Sequence, residues 1–216
     1  MNGMNGAVVL PEFTSDTRPG NPFATRYTRP GAIPPLDRHG IPLDVATLAS
    51  RFDAVPAAAI EGPHGHGKST LLVALAATLK AAGKPVRIVQ IRDWHDACTA
   101  GIAIATAPRG TAVFVDGWER LGLLAGSIRL VARMLGRRLL VTSHRPAGLP
   151  VLWKCETTPA LLRAIVARVP DHGGAVNETD IDAAFQRHGG NVREAVYDLY
   201  DMIERRSRLP SAASPS

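Results

Sequence analysis

The 216-residue chain carries 45% hydrophobic and 20% charged residues, a balance that excludes a disordered or fibrous chain and is long enough to bury one substantial core. No apolar run reaches the roughly 18 residues of a membrane span, and two cysteines, Cys98 and Cys155, give neither a disulfide framework nor a metal cluster. The net charge of +6 is concentrated in residues 57–156, where thirteen basic residues face six acidic ones.

In chain order, residues 1–20 lack any hydrophobic period, and the expectation is a disordered lead into a proline-dense segment ending at residue 42. Phe23, Tyr27, Ile33 and Leu36 are scattered through that segment, which suits an extended arm lying on a surface rather than a core of its own. Leu43, Val45, Leu48 and Phe52 recur at helical spacing, with Asp44 near the start. From residue 57 the pattern becomes strand and helix in alternation. The expected strands are 57–62, 86–91, 111–116, 138–142 and 151–156, and the helices between them 69–82, 96–106 and 121–135. Nearly continuous apolar strands separated by helices predict an α/β fold, a parallel sheet of about five strands covered on both faces. Beyond residue 157 only helical periodicity remains, at 159–169, 178–188 and 191–206, predicting a small helical lid over 157–206 and a mobile tail over 207–216. Residues 43–156 are then the catalytic or binding core. The first residues show neither a basic n-region nor a long apolar h-region, so the expected location is the cytoplasm.

One motif carries chemistry. Gly62-Pro63-His64-Gly65-His66-Gly67-Lys68-Ser69-Thr70 fits G-x-x-x-x-G-K-[ST] between an apolar strand and an apolar helix. Glycines let successive backbone N–H groups approach phosphate oxygens, and the helix N-terminus adds its positive end. Lys68 is expected to neutralise the outer phosphates of ATP, and the Ser69 hydroxyl to ligate Mg²⁺. Only four of the 25 basic residues are lysines, so composition does not account for Lys68. His64 and His66 either donate to phosphate or fill variable positions of the loop.

The strand at 111–116 ends on Asp116, placed to reach Mg²⁺ at the C-terminal edge of a parallel sheet. Glu119 lies three residues on; it is either the base that activates water or a capping residue. Arg129, Arg133 and Arg137 recur at spacing four, as a nucleic-acid stripe or as a solvated or subunit-contacting helix face.

With these motifs the chain resembles the AAA+ and STAND groups of P-loop ATPases over residues 57–206. The stretch Arg138-Leu-Leu-Val-Thr-Ser143-His144 looks like their sensor-1 strand, which implies that Thr142 or Ser143 lies near the γ-phosphate. Gly189-Gly-Asn-Val-Arg-Glu-Ala195 looks like the sensor-2 helix of the lid, which implies that Arg193 touches the phosphates; Asn191 as a plain helix cap is the other reading. The chain departs from the family's pattern in placing Gly117, not Glu, after Asp116, and in the short segment between Ser143 and Val151. The resemblance implies an ATP-binding switch or slow ATPase with a protein partner or homo-oligomer. A small phosphotransferase, with Asp93 near the acceptor, and a nucleic-acid loader are the alternatives.

Overall fold

The computed structural model describes residues 21–93, 95–170 and 174–208. The expected disordered lead at 1–20 and most of the expected tail lie outside them. Among the described residues the chain forms five strands, β1 (Ala57–Glu61), β2 (Val86–Gln90), β3 (Ala112–Asp116), β4 (Arg138–Ser143) and β5 (Val151–Lys154). The α-helices are α1 (Thr25–Thr28), α2 (Val45–Asp53), α3 (Lys68–Ala81), α4 (His95–Thr106), α5 (Leu124–Met134), α6 (Pro159–Val166), α7 (Glu178–Arg187) and α8 (Val192–Arg208). All strand pairs are parallel, in the order β2-β3-β4-β1-β5. The fold class is α/β, a five-stranded parallel sheet covered by helices, with further helices at the C-terminal end.

Alternation along the strands explains the two-sided burial. Ala58, Ile60, Phe114 and Leu140 pack with Leu71, Leu75 and Phe52 of α3 and α2, while Ala59, Val113, Val115 and Val141 pack with Ala100, Ile104 and Ile128 of α4 and α5. Phe52 meets Phe114 edge to face at 5.7 Å, a pairing that adds about 0.5–1.5 kcal/mol beyond burial and ties α2 to the sheet. Asp44 caps α2, its carboxylate accepting from Thr47 N–H at 2.9 Å.

One expected helix is interrupted. Residues 118–121 form a single 3₁₀ turn, Gly122 takes φ 53° and ψ −125°, and α5 begins only at Leu124. Apolar spacing runs across the break, but Gly122 leaves helical geometry there and separates the two pieces. That break keeps Trp118 and Leu121 buried beside the sheet end.

The C-terminal helices have their own apolar cluster around Leu162, Ala184, Ala195 and Leu199, and Phe23 from the N-terminal arm is buried within it. Asn21 reinforces this contact by donating to the Tyr200 carbonyl at 2.9 Å. The arm is thus seated on the helical layer, with Ile33 and Leu36 packed at its margin. Polar caps set the helix starts: Thr158 precedes Pro159 of α6 and accepts from Leu161 N–H, and Asn177 and Asp180 form a reciprocal capping box at α7.

Candidate functional site

In a parallel sheet the C-terminal strand ends share one edge. Here β1 runs out into the Gly62–Gly67 turn, β3 into Asp116 and β4 into Thr142–His144. A cleft of about 880 Å³ opens over this edge, walled by the loop, by the arm at Ile33–His39 and by the first turns of α8.

Glycine is required in the loop at two places for different reasons. At Gly62 a Cβ would lie 2.6 Å from the Cys155 carbonyl, so the strand exit passes directly beneath the end of β5. Gly65 has φ 73°, and a Cβ there would lie 1.7 Å from Asn191 Oδ1, so the loop and the start of α8 touch through it. Lys68 opens α3 and is buried; its ammonium donates to the Gly62 and Pro63 carbonyls, each at 2.6 Å. Burial holds Lys68 below the usual lysine range, opposed by Cys155, Glu119 and Asp116 and assisted by Arg193.

Ser69 and Asp116 meet across the floor of the cleft, the Ser69 hydroxyl donating to Asp116 Oδ2 at 3.1 Å. Thr142 donates to the other oxygen of the same carboxylate and accepts from Gly117 N–H at 3.1 Å. Asp116 and Thr142 are register partners, so their side chains leave the sheet on one face. Ser143 pairs with Glu61 and leaves on the opposite face, where it is buried and its hydroxyl accepts from Arg145 N–H at 3.2 Å. Of the two polar residues ending β4, Thr142 therefore lines the cleft, and the expectation for Ser143 does not fit this geometry. Two-residue alternation of a strand in register with β3 was the signal that separates them.

Glu119, from the 3₁₀ turn, borders the cleft. Both carboxylate oxygens are buried and neither receives an aligned hydrogen bond, although His144 Nε2 lies 2.6 Å from Oε1. The His144 ring in turn lies against that of His64, with centroids 3.5 Å apart. His144 follows β4 and was not singled out from sequence; no spacing links it to Glu119, 25 positions earlier. Burial holds His144 below the ordinary histidine range, against the pull of Glu119 and with the help of His64, Lys68 and Arg120. His66 points to the other side of the loop, with Nδ1 3.5 Å from the Thr157 hydroxyl, and burial lowers its pKa as well.

On the side of the C-terminal helices, Asn191 caps α8, accepting from Glu194 N–H at 3.3 Å. Arg193, in the first turn, borders the cleft, is exposed, and has no hydrogen bond or ion pair with the described residues. Asp93 instead caps the start of α4, accepting from Asp96 N–H at 3.2 Å. The expected arginine stripe is split. Arg129 and Arg133 are exposed, alternating with exposed Leu130, Val131 and Met134, whereas Arg137 folds back on the Leu135 carbonyl. Among the described residues no helix is long and apolar enough to cross a membrane, and no group of three or more His, Cys, Asp or Glu side chains is arranged to hold a metal ion.

No family model matches the chain, and no curated protein matches it. Among solved structures it is similar to that of C. elegans PCH-2, with 12% identity and a TM-score of 0.41, over 76% of this chain and 68% of that one. A likeness of that degree speaks neither to the site nor to the reaction.

Proposed function

We propose that the chain binds ATP in this cleft and is an AAA+-like ATPase or ATP-dependent switch, with the helical layer closing on the core when the nucleotide is bound. The observation that carries the reading is the convergence of three groups on one strand edge. Lys68 supplies a buried cation inside the glycine turn, and Ser69 and Asp116 bring two hard oxygens 3.1 Å apart beside it. Such a pair fits Mg²⁺, which is held by few protein oxygens together with phosphate and water; when bound, the ion neutralises charge on the outer phosphates. The donors that Lys68 now directs at its own loop carbonyls are the ones that would turn to the β- and γ-phosphates. Apolar surface from Ile33, Pro35 and Leu36 of the arm and Val196 of α8 offers a place for the base at the far side of the cleft.

Arg193 is the group that couples nucleotide to the lid in this reading. An exposed guanidinium at the cleft rim can favour the closed state only if it binds the ATP-filled site better than the empty one. A phosphotransferase is disfavoured because Asp93, its acceptor-side candidate, serves as a helix cap. The α5 face, with arginines between exposed leucine, valine and methionine side chains, suits a protein partner better than a bare phosphate backbone. Hydrogen exchange across α8 tests the proposal: an ATP analogue should protect residues 192–206 more than ADP does, and Arg193→Ala should erase the difference. Equal protection by the two nucleotides in the unmodified protein would refute the coupling.

A further inference from the structure

Native proteins rarely bury a polar atom without a partner, and each exception asks for a reason. Two exceptions sit side by side at this site. Both oxygens of Glu119 are buried without an aligned donor, and so is Nδ1 of His144. The two residues meet through the remaining nitrogen, His144 Nε2, at 2.6 Å from Glu119 Oε1. A carboxylate at that distance favours the tautomer with the proton on Nε2, facing Glu119, which leaves Nδ1 with a free lone pair. The ring lying over His144 is that of His64, a residue of the phosphate loop itself, at a centroid distance of 3.5 Å. Any rearrangement of the loop on taking up phosphate therefore moves the ring that lies against His144.

We propose that Glu119 acts through His144: the imidazole, oriented by Glu119, is the catalytic residue that accepts the proton of the water attacking the terminal phosphate, and Glu119 is a positioning residue. This rests on the reading of the cleft as an ATP site. In the step, an O–H bond of water breaks and its proton passes to His144 Nδ1. The water oxygen bonds to phosphorus, and the bond from phosphorus to the bridging oxygen breaks with its electron pair leaving on ADP. The proton is then released from His144 to solvent, restoring the neutral ring. The arrangement answers the absence of a carboxylate directly after Asp116, where Gly117 stands with φ 94°. It also fits the charge around the ring: Glu119 and Arg120 from the 3₁₀ turn, His64 from the loop and Lys68 from α3 all face it. Burial, His64, Lys68 and Arg120 hold the ring below the ordinary histidine range against the pull of Glu119, which favours the neutral form that can take a proton.

The test uses the full chain and its His144→Ala, His144→Asn and Glu119→Gln variants, with three readouts. These are calorimetric MgATP affinity, phosphate release from pH 5 to 9, and the His144 imidazole titration by NMR without nucleotide. His144→Ala is expected to bind MgATP within about twofold of the parent while turnover falls roughly 100-fold or more, the usual scale of general base catalysis. His144→Asn keeps a donor toward Glu119 but has no basic nitrogen, and should be as slow with its fold preserved. Parent turnover should fall on the acid side with the midpoint that NMR gives for His144, and Glu119→Gln should lower both midpoints. Unchanged turnover in His144→Asn, or an unmoved NMR midpoint in Glu119→Gln, would overturn the dyad. A parent chain that binds MgATP and never turns it over would overturn the dyad alone. A parent that does not bind MgATP would overturn the ATP reading and the dyad with it.

Discussion

Gly65 is where the Gly62–Gly67 loop touches the helical layer, and replacing it by alanine measures that contact. Two costs add. A residue with a side chain at φ 73° pays about 1–2 kcal/mol for the left-handed conformation. The new methyl also overlaps Asn191, whose Oδ1 would lie at 1.7 Å and whose Cγ would lie at 2.6 Å, so Asn191 must leave its capping position. Loss of a cap costs typically about 1 kcal/mol. Gly65→Ala is thus expected to lose about 2–3 kcal/mol, a fall of about 4–12 °C in Tm for a chain of this size. Gly67 supplies the control: it has φ 84° with nothing within 4 Å of a Cβ, so Gly67→Ala pays only the backbone cost. The assay is thermal unfolding of both variants, alone and combined with Asn191→Ala. Gly65→Ala should be the less stable by about 1 kcal/mol, and Asn191→Ala should cost less in its background than in the parent. Equal losses at the two glycines, with no coupling to Asn191, would refute the contact between the loop and the C-terminal helices.

Thr142→Val removes the donor to Asp116 and the acceptor for Gly117 N–H, and should cost about 1–3 kcal/mol in denaturant unfolding while weakening the Mg²⁺ dependence of ATP binding. Ser143→Ala loses only its bond to Arg145 N–H, should cost about 0.5–1.5 kcal/mol, and should leave the Mg²⁺ dependence intact. Burial pushes the Cys155 thiol up to about 11, so below that pH it stays protonated and unreactive, whereas Cys98 is exposed. Alkylation at pH 8 followed by mass measurement should therefore give one adduct in the native chain and two after denaturation; two adducts in the native chain would contradict the burial of Cys155.

The parallel sheet was legible because β1, β3 and β4 are apolar on both faces, a pattern that only a doubly covered sheet produces. The loop was legible because its glycines, Lys68 and Ser69 lie close in sequence and their spacing is set by the turn itself. Two features resisted for physical reasons. The helix expected from Leu121 ran through Gly122 because apolar spacing continues across a break that is conformational, not compositional. The Glu119–His144–His64 row joins a 3₁₀ turn, a strand end and a loop, and no local period records contacts made only when β4 lies between β1 and β3. The choice between Thr142 and Ser143 was an intermediate case. Strand alternation decides it once Thr142 is known to pair with Asp116, and that register exists only in three dimensions.

Calorimetric titration of MgATP into the unmodified chain and into Lys68→Ala tests the central claim most directly. The account predicts binding by the parent chain and a loss of about 1.5–3 kcal/mol or more on removing the ammonium, roughly ten- to 150-fold in Kd, with the unfolding transition still cooperative. Equal ATP affinity in the two proteins, or no binding by the parent, would contradict it.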